Sequence, residues 1–142
     1  MLRTGSLSGL TTCSSLLLPA SLQAIEANSM PTGSILSIDL RSTEVTELRT
    51  GALAGMRSLS TLMLPPGLTA LQGGAFPDTS LLLSLDLSIT RITRLPTGAF
   101  DGLSRLATLA VPMTLSHIDE GAMRACKALG SIDLTGTAMH RV

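Results

Sequence analysis

Pairs of aliphatic residues two positions apart recur along the chain: Leu16/Leu18, Ile38/Leu40, Leu62/Leu64, Leu85/Leu87, Leu109/Val111 and Ile132/Leu134. Polar or small residues flank them. Apolar residues at i and i+2 predict a short strand with one buried face. A second aliphatic pair follows each strand, at Leu22/Ile25, Val45/Leu48, Leu68/Leu71, Ile92/Leu95, Leu115/Ile118 and Met139/Val142. It predicts an inward-pointing return segment after a turn. Each unit then carries two small residues before a bulky one: Gly51-Ala52-Leu53, Gly74-Ala75-Phe76, Gly98-Ala99-Phe100 and Gly121-Ala122-Met123, with softer copies at Gly5-Ser6-Leu7 and Asn28-Ser29-Met30. The bulky member falls at 7, 30, 53, 76, 100 and 123, a spacing of 23, 23, 23, 24 and 23. A fixed period of this length means stacked structural repeats, none able to bury its apolar face alone. The bulky residues are expected to stack as an internal spine. The glycine before them is expected in a turn conformation that other residues resist.

The units alternate in kind. Odd strands end in Pro19, Pro65 and Pro112. Even strands carry an Asp between their aliphatics and a Thr three residues after the second: Asp39 with Thr43, Asp86 with Thr90, Asp133 with Thr137. A shift of 46 to 47 residues superimposes odd on odd and even on even, as duplication of a two-repeat cassette would produce. Segments such as LLSLDLSITRITRLPTGAFDGLSRLATL resemble leucine-rich repeats. The odd units, LSTLMLPPGLTALQGGAF and LATLAVPMTLSHIDEGAM, resemble the L-x-x-L-P variant of BspA-like surface proteins of bacteria and protozoa. The likeness covers residues 5 to 142. It implies an α/β-type solenoid: a right-handed leucine-rich-repeat coil of about six repeats of 23–24 residues, with short parallel strands on the concave face and a mostly irregular, turn-rich convex side. The family's turn-capping Asn is Thr43, Thr90 or Thr137 here, and a threonine hydroxyl makes a weaker bond of the same kind.

In such a fold the residues between the aliphatics point outward, in three lanes. The first is Ser15, Ser37, Thr61, Ser84, Thr108 and Ser131, a hydroxyl in every coil. The second alternates apolar and acidic: Leu17, Asp39, Met63, Asp86, Ala110 and Asp133. The third is Pro19, Arg41, Pro65, Ser88, Pro112 and Thr135. These lanes, without the prolines and Thr135, are the candidate partner-binding face. The hydroxyls read first as ordinary solvated strand residues and only second as a hydrogen-bonding surface for a partner backbone or glycan. The Asp lane is not a calcium site, since carboxylates on alternate strands stand ~9.6 Å apart and calcium ligands converge within ~2.6 Å of one ion. Its expected role is to keep the intervening apolar residues from face-to-face association. Arg41 is placed for a weak surface pairing with Asp39.

Composition narrows the function classes. Of 142 residues, 44% are hydrophobic and 14% charged, as in a folded chain, and ten acidic residues balance ten basic ones. The basic residues are scattered, so neither nucleic acid nor membrane insertion is expected. Phe76 and Phe100 are the only aromatics, which removes base stacking as a binding mode. Cys13 and Cys126 sit about five repeats apart, on the order of 20 Å in a stack, too far for a disulfide. His117 and His140 fall at nearby places in adjacent coils with Asp119 close by, but two loosely spaced histidines read as exposed turn residues. No catalytic motif, cofactor signature or metal set is present, so the chain reads as non-enzymatic.

Residues 1–142 read as one solenoid domain without clear caps, expected to be a fragment of a longer array, with end-to-end self-association and gene truncation as competing explanations. The nearest apolar run, Leu16-Leu17-Leu18, is too short for a signal peptide or membrane span. The expected function is a non-catalytic interaction module for a protein or glycan-bearing partner. The family likeness suggests a cell-surface, adhesive setting. The alternative is an intracellular scaffold, or the recognition segment of a larger multidomain, even enzymatic, protein.

Overall fold

A computed structural model of the chain describes residues 1–76 and 81–139. His140 and Val142 lie outside the described residues. Among the described residues nine short strands form, in chain order: β1 Ser15–Leu17, β2 Ser37–Asp39, β3 Glu47–Leu48, β4 Thr61–Met63, β5 Ala70–Leu71, β6 Ser84–Asp86, β7 Arg94–Leu95, β8 Thr108–Ala110 and β9 His117–Ile118. All pairings are parallel and join one coil to the next. No helix occurs among the described residues, so the α/β label yields to an all-β solenoid.

Five of the six expected strands form where the i, i+2 pairs stand: β1, β2, β4, β6 and β8. The sixth does not, and residues 131–134 carry no strand. Ile132 and Leu134 still pack against the core, half-buried. The return segments do more than point inward. Their outer halves form a second set of strands, β3, β5, β7 and β9, pairing Glu47 with Ala70, Leu48 with Leu71, Arg94 with His117 and Leu95 with Ile118.

A third line of backbone hydrogen bonds runs through the small-small-bulky motifs. The N–H of Gly5 donates to the Asn28 carbonyl, Asn28 to Gly51, Gly51 to Gly74, Gly74 to Gly98 and Gly98 to Gly121, at 2.9–3.3 Å. The geometry needs a left-handed residue in every coil. The five glycines have φ of 68–77°, and Asn28 takes 56°, the one non-glycine described there. Asn tolerates this region better than other side-chain-bearing residues. Behind them the spine packs as expected. Met30, Leu53, Phe76 and Phe100 are fully buried, Leu7 and Met123 partly so, and the two phenylalanine rings stack with centroids 6.3 Å apart. Ala52, Ala75, Ala99 and Ala122 beside them are buried. The core also takes in Ile35, Leu59, Leu82 and Leu106, just before the strands, and Met56 and Leu103 after the spine. Cys13 and Cys126 fall in the same rows and are free thiols.

The odd–even alternation is two turn chemistries. After an odd strand the carbonyls of Pro19, Pro65 and Pro112 accept the N–H of Leu22, Leu68 and Leu115. After an even strand the carbonyls of Leu40, Leu87 and Leu134 each accept both the N–H and the hydroxyl of Thr43, Thr90 and Thr137, the hydroxyl bonds measuring 2.7, 2.7 and 2.8 Å. Threonine thus does the turn-capping that the resemblance assigns to Asn, within its own coil.

Candidate functional site

The first ladder puts the lane residues in register. Ser15, Ser37 and Thr61 are paired neighbours, as are Leu17, Asp39 and Met63. Beyond them, Ser84 pairs with Thr108 and Asp86 with Ala110. Ser131 and Asp133 lie in the coil without a strand. The period-2 pleat explains the outward aim: Ile38, Leu62, Leu85 and Leu109 go inward between them and are buried. Leu17 is 92% exposed. The third lane is mixed, because Pro65 and Pro112 are buried while Pro19, Arg41, Ser88 and Thr135 are exposed. An apolar ring at the start of a turn packs well beneath the coil edge, and Pro has no N–H to strand there.

The lane hydroxyls differ from a set of hydroxyls outside it that are bonded. Elsewhere, side-chain hydroxyls stitch coil to coil: Thr69 donates to the Thr46 carbonyl, Thr50 to Gly73, Thr97 to Glu120, Thr114 to Ile92 and Ser116 to Thr93, at 2.7–3.0 Å. Ser15, Ser37, Thr61, Ser84, Thr108 and Ser131 have no side-chain bond to the described residues. Their donors and acceptors are left for solvent or a partner.

The acidic lane is more structural than spacing alone suggests. Oδ1 of Asp39, Asp86 and Asp133 accepts the backbone N–H two residues on, of Arg41, Ser88 and Thr135, at 3.0, 2.8 and 2.9 Å. Each Asp holds its turn with Oδ1, and among the described residues Oδ2 of Asp86 and Asp133 accepts no hydrogen bond. Asp39 is also gripped by Arg41, Nε to Oδ1 at 3.0 Å and Nη2 to Oδ2 at 2.7 Å. The side-chain bonds from Arg41, then its backbone N–H, lower the Asp39 pKa to about 2. The Thr135 hydroxyl, then its N–H, holds Asp133 below the usual carboxylate range. This turn role was readable in principle, because Asp two residues before a turn N–H is a known local pattern.

A second polar strip lies on the other ladder. Glu47 binds Arg49 at 3.1 Å and accepts from Gln72 at 2.6 Å, Gln23 donates to Glu44 at 3.0 Å, and Arg94 pairs with Asp119 at 2.9 Å. These groups satisfy one another. His117 stands exposed with Nδ1 2.9 Å from the Ser116 hydroxyl, whose proton goes to the Thr93 carbonyl. Asp119 faces Arg94. Among the described residues no three metal-ligating side chains converge.

Comparison with known proteins agrees with this geometry. The pattern of the BspA type Leucine rich repeat region is matched in six copies, over residues 2–94 and 23–140. No curated protein matches the chain. Among solved structures, a chain of the glycosylated Toll–Spatzle complex of Drosophila is similar over 93% of this chain, at 25% identity and a TM-score of 0.77. The match spans 18% of that longer chain.

Proposed function

The chain belongs to the BspA-type leucine-rich repeat family, and from that premise we propose that it is a non-catalytic module that binds a protein partner on its first ladder. The observation that carries this reading is the unengaged hydroxyl lane, in register with a row of exposed Leu17, half-buried Met63 and exposed Ala110 between acidic residues. A face whose polar groups are spoken for offers a partner little. This one offers a donor and an acceptor in every coil, with apolar contact beside them. Free hydroxyls suit a partner backbone first and a glycan second. A repeat solenoid also provides the extended rigid surface that such recognition uses. The Toll–Spatzle structure is an assembly of two proteins, which supports a protein partner by analogy. A cell-surface, adhesive setting follows from the family in the same way.

The test is an array of recombinant ectodomains and glycans probed with the purified chain, with hits measured by interferometry. Thr61→Arg combined with Met63→Arg should remove binding of a true hit by about tenfold or more. Arg57→Glu, away from the ladder, should leave it intact. Hits indifferent to the first pair, or confined to the glycans, would refute a protein-binding first ladder.

A further inference from the structure

Among the described residues, strand pairing is absent on both ladders between the third and fourth coils. The first ladder joins β1, β2 and β4, then resumes with β6 and β8. The second joins β3 to β5, then β7 to β9. Both interruptions fall between the third and fourth coils. Side chains tell the same story. Bonds from Ser60, Thr69, Thr50 and Gln72 cross the junction before it, and bonds from Arg94, Thr97, Thr114 and Ser116 cross the one after. Among the described residues, none joins residues 61–76 to residues 81–100. Backbone bonds from Arg91 to Leu68 and Gly74 to Gly98, with the stacked phenylalanines, hold this seam.

On the first-ladder face the seam opens into a cleft of about 270 Å³, lined by Arg41, Leu62, Met63, Leu64, Asp86 and Ile89. Its walls are aliphatic and thioether. Its charges do not cancel. Arg41 is held by both oxygens of Asp39, whereas Asp86 uses only Oδ1, for the Ser88 N–H, and has no cationic partner among the described residues. The cleft therefore combines an apolar channel with one uncompensated carboxylate.

We propose that this cleft seats a lysine or arginine side chain of the protein partner, its methylene stem along Met63 and Ile89 and its charged head on Asp86. The proposal rests on the interaction-face reading above and specifies where on that face the anchor lies. A long basic side chain matches both halves of the cleft, because its stem is apolar and only its end is charged. An acidic side chain would meet Asp86, and a purely apolar one would leave that carboxylate desolvated and unpaired.

The experiment is selection of a phage-displayed random-peptide library on the immobilised chain, followed by affinity measurement against variants. Asp86→Asn keeps an oxygen for the Ser88 N–H, so its melting temperature should match the parent. Ile89→Lys places a cation of the chain's own in the cleft. The expected result is enrichment of basic peptides whose affinity falls about tenfold on Asp86→Asn, falls further on Ile89→Lys, and weakens with salt. Peptides that lose binding on Leu17→Glu or Thr108→Arg but ignore Asp86→Asn would overturn the cleft and leave the interaction face standing. Peptides indifferent to all four substitutions would overturn both.

Discussion

Replacing Phe100 with alanine removes one half of the only aromatic stack in the chain, at the seam where ladder hydrogen bonds are missing. Phe100 is fully buried. A phenylalanine buries about 150–250 Å², so at about 25 cal/mol per Å² its whole side chain accounts for roughly 4–6 kcal/mol. Alanine retains part of that, and incomplete collapse of the hole adds a cavity term, so the expected loss is about 3–5 kcal/mol. A 142-residue chain has a total stability of roughly 7–20 kcal/mol at typical per-residue values. The substitution thus removes a large share. Urea unfolding followed by far-UV circular dichroism is the assay, since the chain has neither Trp nor Tyr. With a slope of about 2 kcal/mol/M the midpoint should fall by about 1.5–2.5 M. Leu7→Ala, at the half-buried first member of the same spine, should cost much less. With few other bonds across the seam, the Phe100→Ala transition should also broaden or split as the two blocks uncouple. A midpoint within about 0.3 M of the parent, or an equal loss for Leu7→Ala, would refute the spine as the principal tie between the coils.

Three further outcomes are expected. Gly73→Ala would set a Cβ 2.5 Å from the Thr97 carbonyl oxygen, so the third and fourth coils must part, at about 1–3 kcal/mol by urea unfolding; an unchanged midpoint would show the junction to be slack. Thr90→Val removes a buried hydroxyl that donates to Leu87 at 2.7 Å and should cost about 1–2 kcal/mol, whereas Thr90→Ser, keeping the donor, should recover part of that; equal losses would mean that the methyl matters and the bond does not. Asp39 has a folded pKa depressed to about 2 against an unfolded value near ~3.9. Its contribution is therefore complete above pH ~4 and disappears as pH falls through 2. Acid titration of Arg41→Met against the parent should show a flatter stability profile between those values, by a small margin because the pair is exposed; superimposable profiles would show that Arg41 does not hold the carboxylate.

The alternating aliphatic pairs and the 23-residue period were sufficient to place β1, β2, β4, β6 and β8, the buried spine, the left-handed glycines and the register of the outward lanes. All of these follow from local rules: a two-residue pleat, a turn that needs positive φ, and a bulky residue at fixed phase. The family resemblance was legible for the same reason. The tertiary structure decided what depends on which coil lies against which. The second ladder at Glu47–Leu48 and its successors was hidden, because strands of two residues carry no periodicity of their own. Pro65 and Pro112 go under cover while Pro19 stays exposed, a difference no local rule distinguishes. The lane hydroxyls are free while those of Thr69, Thr97 and Ser116 are used between coils, which depends on carbonyls some 23 residues away. The seam is likewise a property of the stack. The third coil pairs strand to strand with the second and not with the fourth, although β1 and β2 pair across a junction of the same odd-to-even kind, so the stacking of the coils decides it and not the local turn sequence.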